Sequence, residues 1–580
     1  MERILLKDYG IEPNTGKDCS AVFQKVFTGH PRNTVFILEP GRYEFRAEEA
    51  MSQDYYLSNS DICNPRRLAV RMFQMENIII EGTNCRFICH GQVMPFTLEA
   101  CRNITLKGIS LDWEIPLSAE GEIVETGENF IDVKIDREYF PYEVTDNILY
   151  FMGKGWKEPV WQWGNTEFDI HTRRVAQHSG DTFPPTRQEE LADGLVRFYG
   201  TFLIMPKIGN FLVLRHGKRI HAAVFMKDCM NIKFENITIY HSGGLGLLAQ
   251  FCENLTFRGI QMRPSFGEGR KFLSGHDDGI HLTGNRGQVI VEGCYFQGLM
   301  DDCLNLHGVA ARIKKIENSH TVIGEFVHEQ SKGFEDWAQT GHEISFLKKG
   351  NMRRLACLET DCFRLLSPDM FRISFREGIP EETEIGDSLE NMTCTAGLIC
   401  RNNFFGNGRA RGILFTTPRP VIIENNVFES SGAAVLIAGD ASCWYESGGC
   451  KDVEIRNNYF GDSCLTSSYL GGEAVISIHP EVEKPEKEHP FHTNIRIKEN
   501  TFHICDAPVL YAKSTDGLSF MGNRLIRSYT SEPWNEQKSM VCLDTCGEAD
   551  IRNNLFIGDI LSREVERKEG ENEEAEGCYP

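Results

Sequence analysis

Along most of the chain, apolar and polar residues alternate in short runs, each closed by an Asn or Gly and followed by an aromatic. "NIKFENITI" from Asn231 is followed 23 residues later by "NLTFRGIQM" from Asn254. Near the end the unit returns as "RNNFFGN" (401), "ENNVFES" (424), "RNNYFGD" (456), "KENTFHI" (498), "MGNRLIR" (521) and "RNNLFIG" (552), at steps of 23, 32, 42, 23 and 31. Period-2 runs this short predict strands rather than helices. Asn and Gly accept the left-handed backbone of a tight corner, and Asn repeated at one corner can hydrogen-bond along a stack. Self-similarity at 20 to 50 residues marks a solenoid. The pattern predicts an all-β protein, a right-handed parallel β-helix.

Two stretches lack the repeat. Residues 112–221 are rich in Trp, Pro and charge ("KGWKEPVWQWGNTEFDIHTRR"), and residues 309–395 carry strand-like runs such as "HEISFLKKG" without the Asn corner. Both predict β-rich, barrel-like insertions, and insertions on one side of a solenoid commonly wall a binding face. The expected order is an N-terminal part of the β-helix (1–111), insertion 1 (112–221), catalytic coils (222–308), insertion 2 (309–395) and a C-terminal part (396–560). A charged tail, 561–580, is expected to be disordered.

Charge narrows the partners. The 580 residues carry 83 Asp plus Glu against 61 Lys plus Arg, and no segment gathers cations with aromatics into a phosphate-tracking surface. Nucleic acid and anionic membranes are poor partners for such a chain. The opening residues lack the apolar core of a signal peptide, and no run reaches the roughly 18 apolar residues of a membrane span, so the expectation is a cytoplasmic protein. The 20 cysteines include no C-x-x-C pair. Cys101, Cys229, Cys252 and Cys450 fill one slot of the repeat, which suggests small core side chains rather than zinc ligands or disulfides.

The distinctive chemistry lies in "GLMDDCLNLHG" (298–308). "DGIHLTG" from Asp278 and "DCLNLHG" from Asp302 align with a spacing of 24, one coil. Ile280 and Leu282 should then stack with Leu304 and Leu306 as core, leaving His281, Asn305, Thr283 and His307 outward. "RGILFTT" after insertion 2 places Arg411 in the slot of Asp278 and Asp302, and "AAVLIAG" then places Ala433 there. Coils lie about 4.8 Å apart, so Asp278 and Asp302 should be neighbours, with Asp277 and Asp301 as a second pair beside them. Crowded carboxylates raise one another's pKa, which keeps one protonated while another stays ionised. Glycoside hydrolysis needs that combination. Asp-Asp is also an ordinary turn sequence, and clustered Asp can hold calcium; two pairs in one register favour catalysis, with no metal and no cofactor. Trp444 and Glu446 in "CWYESGG" suit a sugar ring, and Arg270 and His276 precede the first pair.

These repeats, the "DYG" opening, the paired "HDDGIHLTGN" and "GLMDDCLNLHG" segments and the two insertions together resemble glycoside hydrolase family 110. The resemblance implies an exo-acting α-1,3-galactosidase, of the type that removes the terminal galactose of blood group B or of linear α-1,3-galactosides. It further implies a metal-independent, inverting mechanism with Asp301 as general acid, and Asp278 and Asp302 holding the attacking water as base. Asp277, Arg270, His276, Asn305, His307, Arg411, Trp444 and Glu446 are then the expected substrate-binding residues. The expected partner is a galactose-terminated oligosaccharide or glycoconjugate, and a homodimer is compatible with the sequence. An inverting pair sits roughly 6.5 to 9.5 Å apart, which points to a diagonal such as Asp278 with Asp301. The alternatives are a polygalacturonase-like pectin hydrolase, for which the Gly-His-Gly coil is missing and Arg409 with Arg411 is a thin cationic supply, and a non-catalytic glycan-binding β-helix.

Overall fold

The computed structural model describes residues 1–569 apart from 163, 180–184, 266–268, 468, 470–471, 506–507, 534, 536–538 and 561. Its body is a parallel β-helix. On one wall Ile232, Leu255, Val289, Leu398, Val421, Val453, Ile495 and Leu518 pair in register, coil after coil. On another, Val224, Leu247, Ile280, Leu304, Ile413, Val435, Ile476 and Leu510 do the same. Alternation along each short strand sends these aliphatics inward, where they are buried. The only α-helix among the described residues, Ser20–Gly29, lays Phe23 against Phe45 and Phe87 and Phe27 against Phe36, keeping water from the apolar interior near the N-terminus.

The repeated "NN-aromatic" unit divides its work between neighbouring residues. The first Asn turns the corner: Asn402, Asn425 and Asn457 have φ of 58°, 56° and 53°. The second forms a buried ladder in which Asn403, Asn426, Asn458, Asn500 and Asn523 each donate from Nδ2 to Oδ1 of the next, ending at Asn554, over 3.0–3.1 Å. The aromatic then stacks inside: Phe296, Phe405, Phe428, Phe460 and Phe502 follow one another with centroids 4.6–5.3 Å apart. Each buried ring contributes roughly 1.5–3 kcal/mol by leaving water. Cys101, Cys229, Cys252 and Cys450 are free and buried in the wall.

Insertion 1 is antiparallel. Strands Thr166–Phe168, Phe211–Arg215, Ser118–Gly127, Phe130–Ile135, Leu195–Gly200 and Pro185–Ala192 form one sheet in that order. A second sheet of Tyr142–Thr145, Ile148–Gly153 and Trp156–Pro159 joins both of its sides, through Gln188 N to Asn147 O and through the Val160–His216 bridge. In insertion 2, Leu304–Asn318 pairs with Thr321–Glu325, that with Met370–Phe375, then Arg354–Ser367, Glu343–Leu347, Ser388–Asn391 and back to the first strand. This is a closed six-stranded barrel whose first strand begins as a coil of the solenoid. The tail departs from expectation over part of its length. Val565–Lys568 pairs with Val541–Asp544 as one more parallel strand, because Val565 continues the stack above Val541; residues 570–580 lie outside the described residues.

Candidate active site

The register places the carboxylates as the repeat implies. Ile280 pairs with Leu304, Leu304 with Ile413 and Ile413 with Val435, so Asp278, Asp302, Arg411 and Ala433 occupy one slot on successive coils. Gly279 N donates to Asp302 O at 2.8 Å and Cys303 N to Arg411 O at 3.2 Å, holding these corners together.

The side chains are sorted by cations the repeat does not reveal. The last strand of insertion 1 ends at Arg215 and leads directly to Arg219. Arg215 lies 2.5 Å and Arg219 Nε 2.7 Å from Asp277 Oδ1, and Arg219 also contacts Asp301. His276 Nδ1 faces the other Asp277 oxygen at 2.8 Å, and its Nε2 meets His216 O at 2.9 Å. Burial alone would push the Asp277 carboxyl up, but Arg219, His276 and Arg215 hold it well below the usual range. Asp277 is therefore an ionised clamp, and it joins Asp301 through Arg219 rather than by facing it as a carboxylate pair.

Of Asp301, Asp302 and Asp278, Asp301 keeps the most open carboxylate, with 12% of its side chain exposed against 2% for Asp302 and 6% for Asp278. Partial burial opposes its ionisation, yet Arg219, Arg409, Arg215 and Arg411 together lower it. Asp302 meets Arg411 Nε at 2.7 Å; burial, offset in part by Arg411 and reinforced by Asp301 and Asp278, pushes it up to about 7. Asp278 is raised well above the usual range by burial and by Asp301. The crowding thus raises two of the four carboxyls, and the arginines depress the other two.

The positions expected to face outward are covered. His281 and His307 are buried, and their Nε2 atoms lie 3.0 Å apart. The cover comes from "CWYESGG", whose Glu446–Ser447 strand pairs antiparallel with Gly308 and Val309. Glu446 Oε1 thereby lies 3.5 Å from His307 and accepts from Asn59 at 2.8 Å. Beside it, Trp444 stacks on His328 of insertion 2 at 4.1 Å. Asn305 is 4% exposed, and its Oδ1 has no hydrogen-bond partner among the described residues. A buried orphan acceptor of this kind is suited to a sugar hydroxyl.

Arg270 is not part of the cluster: its Nη2 lies 2.7 Å from both oxygens of buried Asp112, where it ties the loop before the first Asp pair to the solenoid. Sequence reasoning passes over Arg215, Arg219, Asn59, His281 as a partner of Asp278, and Tyr469, whose ring lies 4.6 Å from the Arg409 guanidinium and 5.3 Å from that of Arg411. The string "RHGKRI" at the exit of insertion 1 is the one signal that points at this cationic arm. Among the described residues, His281, His307 and Glu446 are the set of side chains whose ligand atoms lie close enough for a metal, within 4.8 Å of one another. Chemically, the site offers one accessible carboxylate beside two others with raised pKa, in a wall of fixed cations.

Two family models match the insertions: GLAA-B beta-barrel domain I over residues 119–212 and GLAA-B beta-barrel domain II over 321–389. The chain is 40% identical over 571 residues to alpha-1,3-galactosidase B of Bacteroides thetaiotaomicron, covering 97% of this chain and 92% of that one. It is 32% identical over 574 residues to alpha-1,3-galactosidase A of Bacteroides fragilis, with coverage of 97% and 94%. It is 33% identical over 570 residues to alpha-1,3-galactosidase A of Shewanella woodyi, with coverage of 96% and 91%.

Proposed function

The chain belongs to glycoside hydrolase family 110, the α-1,3-galactosidases, and on that premise we propose that it releases terminal α-1,3-linked galactose by a single displacement with inversion, carried by Asp301, Asp278 and Asp302. It is a glycosidase, and its substrate is a glycan. The observation that supports the mechanism is the sorting of three neighbouring carboxyls into one accessible and depressed, and two enclosed and raised.

Asp301 is the proton donor to the glycosidic oxygen in this reading, and Asp278 with Asp302 activates water on the opposite face. Before substrate binds, Arg219 favours the ionised form of Asp301, so the shared proton rests on its neighbours. A galactosyl unit filling the site strips the remaining water from Asp301, and desolvation raises a carboxyl pKa. The proton then favours the carboxyl that faces the leaving group, and the three groups titrate as one set. Asn305 and Trp444 are the hydroxyl and ring contacts.

The experiment is hydrolysis of a panel of α-1,3-, α-1,4- and α-1,6-galactosides and polygalacturonate, followed by NMR of the first sugar released. β-Galactose from the α-1,3 substrates is the expected result. Initial α-galactose overturns inversion, and no galactose from any α-1,3 substrate overturns the substrate assignment.

A further inference from the structure

Hydrogen-bond directions around Asp278 fix where its proton can go. His307 Nδ1 lies 2.7 Å from the carbonyl oxygen of Gly308. A carbonyl only accepts, so this nitrogen carries hydrogen, and Nε2 of the neutral ring is a lone pair. His281 Nε2 faces that lone pair at 3.0 Å and so must carry hydrogen. The neutral His281 ring then presents a bare Nδ1, 2.6 Å from Asp278 Oδ2, and the carboxyl must supply the hydrogen between them. Asp278, His281 and His307 together therefore hold one proton more than a carboxylate and two neutral rings.

The same chain has a second arrangement that moves no heavy atom. The Asp278 proton passes to His281 Nδ1 as the His281 Nε2 proton passes to His307 Nε2. Asp278 becomes a carboxylate, His281 stays neutral, and His307 becomes an imidazolium 3.5 Å from Glu446 Oε1. Glu446 is prepared for that charge: it accepts from Asn59, and despite burial its carboxyl is held below the usual range by His307 and His281.

We propose that His281, His307 and Glu446 are positioning residues that form a proton relay, unloading Asp278 so that it is a carboxylate when water is bound for attack. The proposal rests on the inverting reading above. The water proton goes to Asp278 as the hydroxyl bonds to the anomeric carbon, and the leaving oxygen takes the proton of Asp301. The relay carries only the proton that Asp278 held beforehand; the proton that Asp301 gives up comes from Asp302, whose carboxyl is also raised. The charges of Asp301, Arg219, Asp277, Glu446 and Asp302 also act on Asp278; those of Glu446, Arg219, Asp302 and Asp301 act on His281; and that of Glu446 acts on His307. A metal ion is the other occupant this triad suggests. Tetrahedral zinc, with bonds of about 2.0–2.1 Å, holds its nitrogens roughly 3.3 Å apart, whereas the two rings meet at 3.0 Å, a hydrogen-bond contact.

Two measurements test the relay. In His307→Gln the amide oxygen still accepts from His281 but cannot take a proton, so Asp278 stays loaded. The acid limb of kcat/KM against pH should move up by at least one unit, with KM near wild type and activity recovering above that limb. A lower plateau with an unmoved limb overturns the proposal. The second measurement needs no activity: 15N NMR of the histidine-labelled wild-type chain should show hydrogen on His281 Nε2 and on His307 Nδ1. Both Nε2 atoms bare, or a stoichiometric metal retained after dialysis, overturns the relay even if galactose is released. The expected tautomers stand even if it is not.

Discussion

Arg411 Nε lies 2.7 Å from Oδ1 of Asp302, although insertion 2 separates the two residues by 109 positions. The contact exists because they occupy one slot on adjacent coils. It holds the Asp302 carboxyl at about 7 against burial and the charges of Asp301 and Asp278. Replacing Arg411 with Met removes the lowering charge, so Asp302 ionises only at higher pH. If ionised Asp302 is needed to activate water, the acid limb of kcat/KM should move up by about 1–3 units. A rate profile between pH 4 and 10 checks this; an unmoved limb would remove Asp302 from the base.

Asp277 and Asp278, one residue apart, should respond oppositely to amidation. The folded-state pKa of Asp277 is depressed, so it contributes stability above the unfolded value of about 3.9 that is lost as pH falls through the folded value. Asp277→Asn leaves Arg215 and Arg219 without their buried partner and should cost roughly 3–5 kcal/mol at pH 7. The folded-state pKa of Asp278 is raised. Its carboxyl favours folding less and less as pH climbs from the unfolded value towards the folded one. Asp278→Asn should therefore raise the melting temperature at pH 7, and the gain should vanish near pH 4. Calorimetry of both variants at the two pH values decides; a lower melting temperature for Asp278→Asn at pH 7 would mean that the carboxylate is favoured where it sits.

What the sequence revealed here has a physical boundary. Asp278, Asp302 and Arg411 could be set in register because a solenoid repeats one hydrogen-bonded step, and a seven-residue alignment is enough to index it. Arg215 and Arg219 could not, because they arrive from the last strand of insertion 1, and antiparallel closure over a hundred residues leaves no period in the chain. The same limit explains His281 and His307. Alternation correctly turned them away from the core, but only the pairing of Glu446 with Val309 shows that this outer face is roofed. Arg270 illustrates the opposite error: proximity in sequence suggested the site, and Asp112 took the guanidinium instead.

Asn305 offers a test of binding separate from chemistry. Its Oδ1 is buried without a partner among the described residues, an arrangement that costs stability until a ligand donates to it. Asn305→Ala should raise KM about tenfold, the equivalent of roughly 1.4 kcal/mol, with a smaller effect on kcat. The melting temperature should hold or rise, because no hydrogen bond to that oxygen is lost. Unchanged KM would place the sugar elsewhere on the wall.

The two asparagines of "RNNYFGD" separate the cost of a corner from the cost of a ladder. Asn457 is exposed with φ of 53°, so Asn457→Ala places a β-carbon in the left-handed region at about 1–2 kcal/mol, and Asn457→Gly should cost little or nothing. Asn458 is buried. Its Oδ1 accepts from Asn426 N and Nδ2 at 2.9 and 3.0 Å, and its Nδ2 donates to Ile423 O and Asn500 Oδ1 at 2.9 and 3.0 Å. Alanine there strands groups on both neighbouring coils where water cannot reach them. At about 1–3 kcal/mol for each unsatisfied group, even partial relaxation should leave Asn458→Ala the most destabilised of the three in urea unfolding. Each coil contacts only its neighbours, so the loss should also open the stack locally. Hydrogen exchange at coils 424–428 and 498–504 should rise before exchange at coils 280–283 and 304–306 does. An equal cost for Asn457→Ala and Asn458→Ala would mean that the corner conformation, not the ladder, holds the coils together.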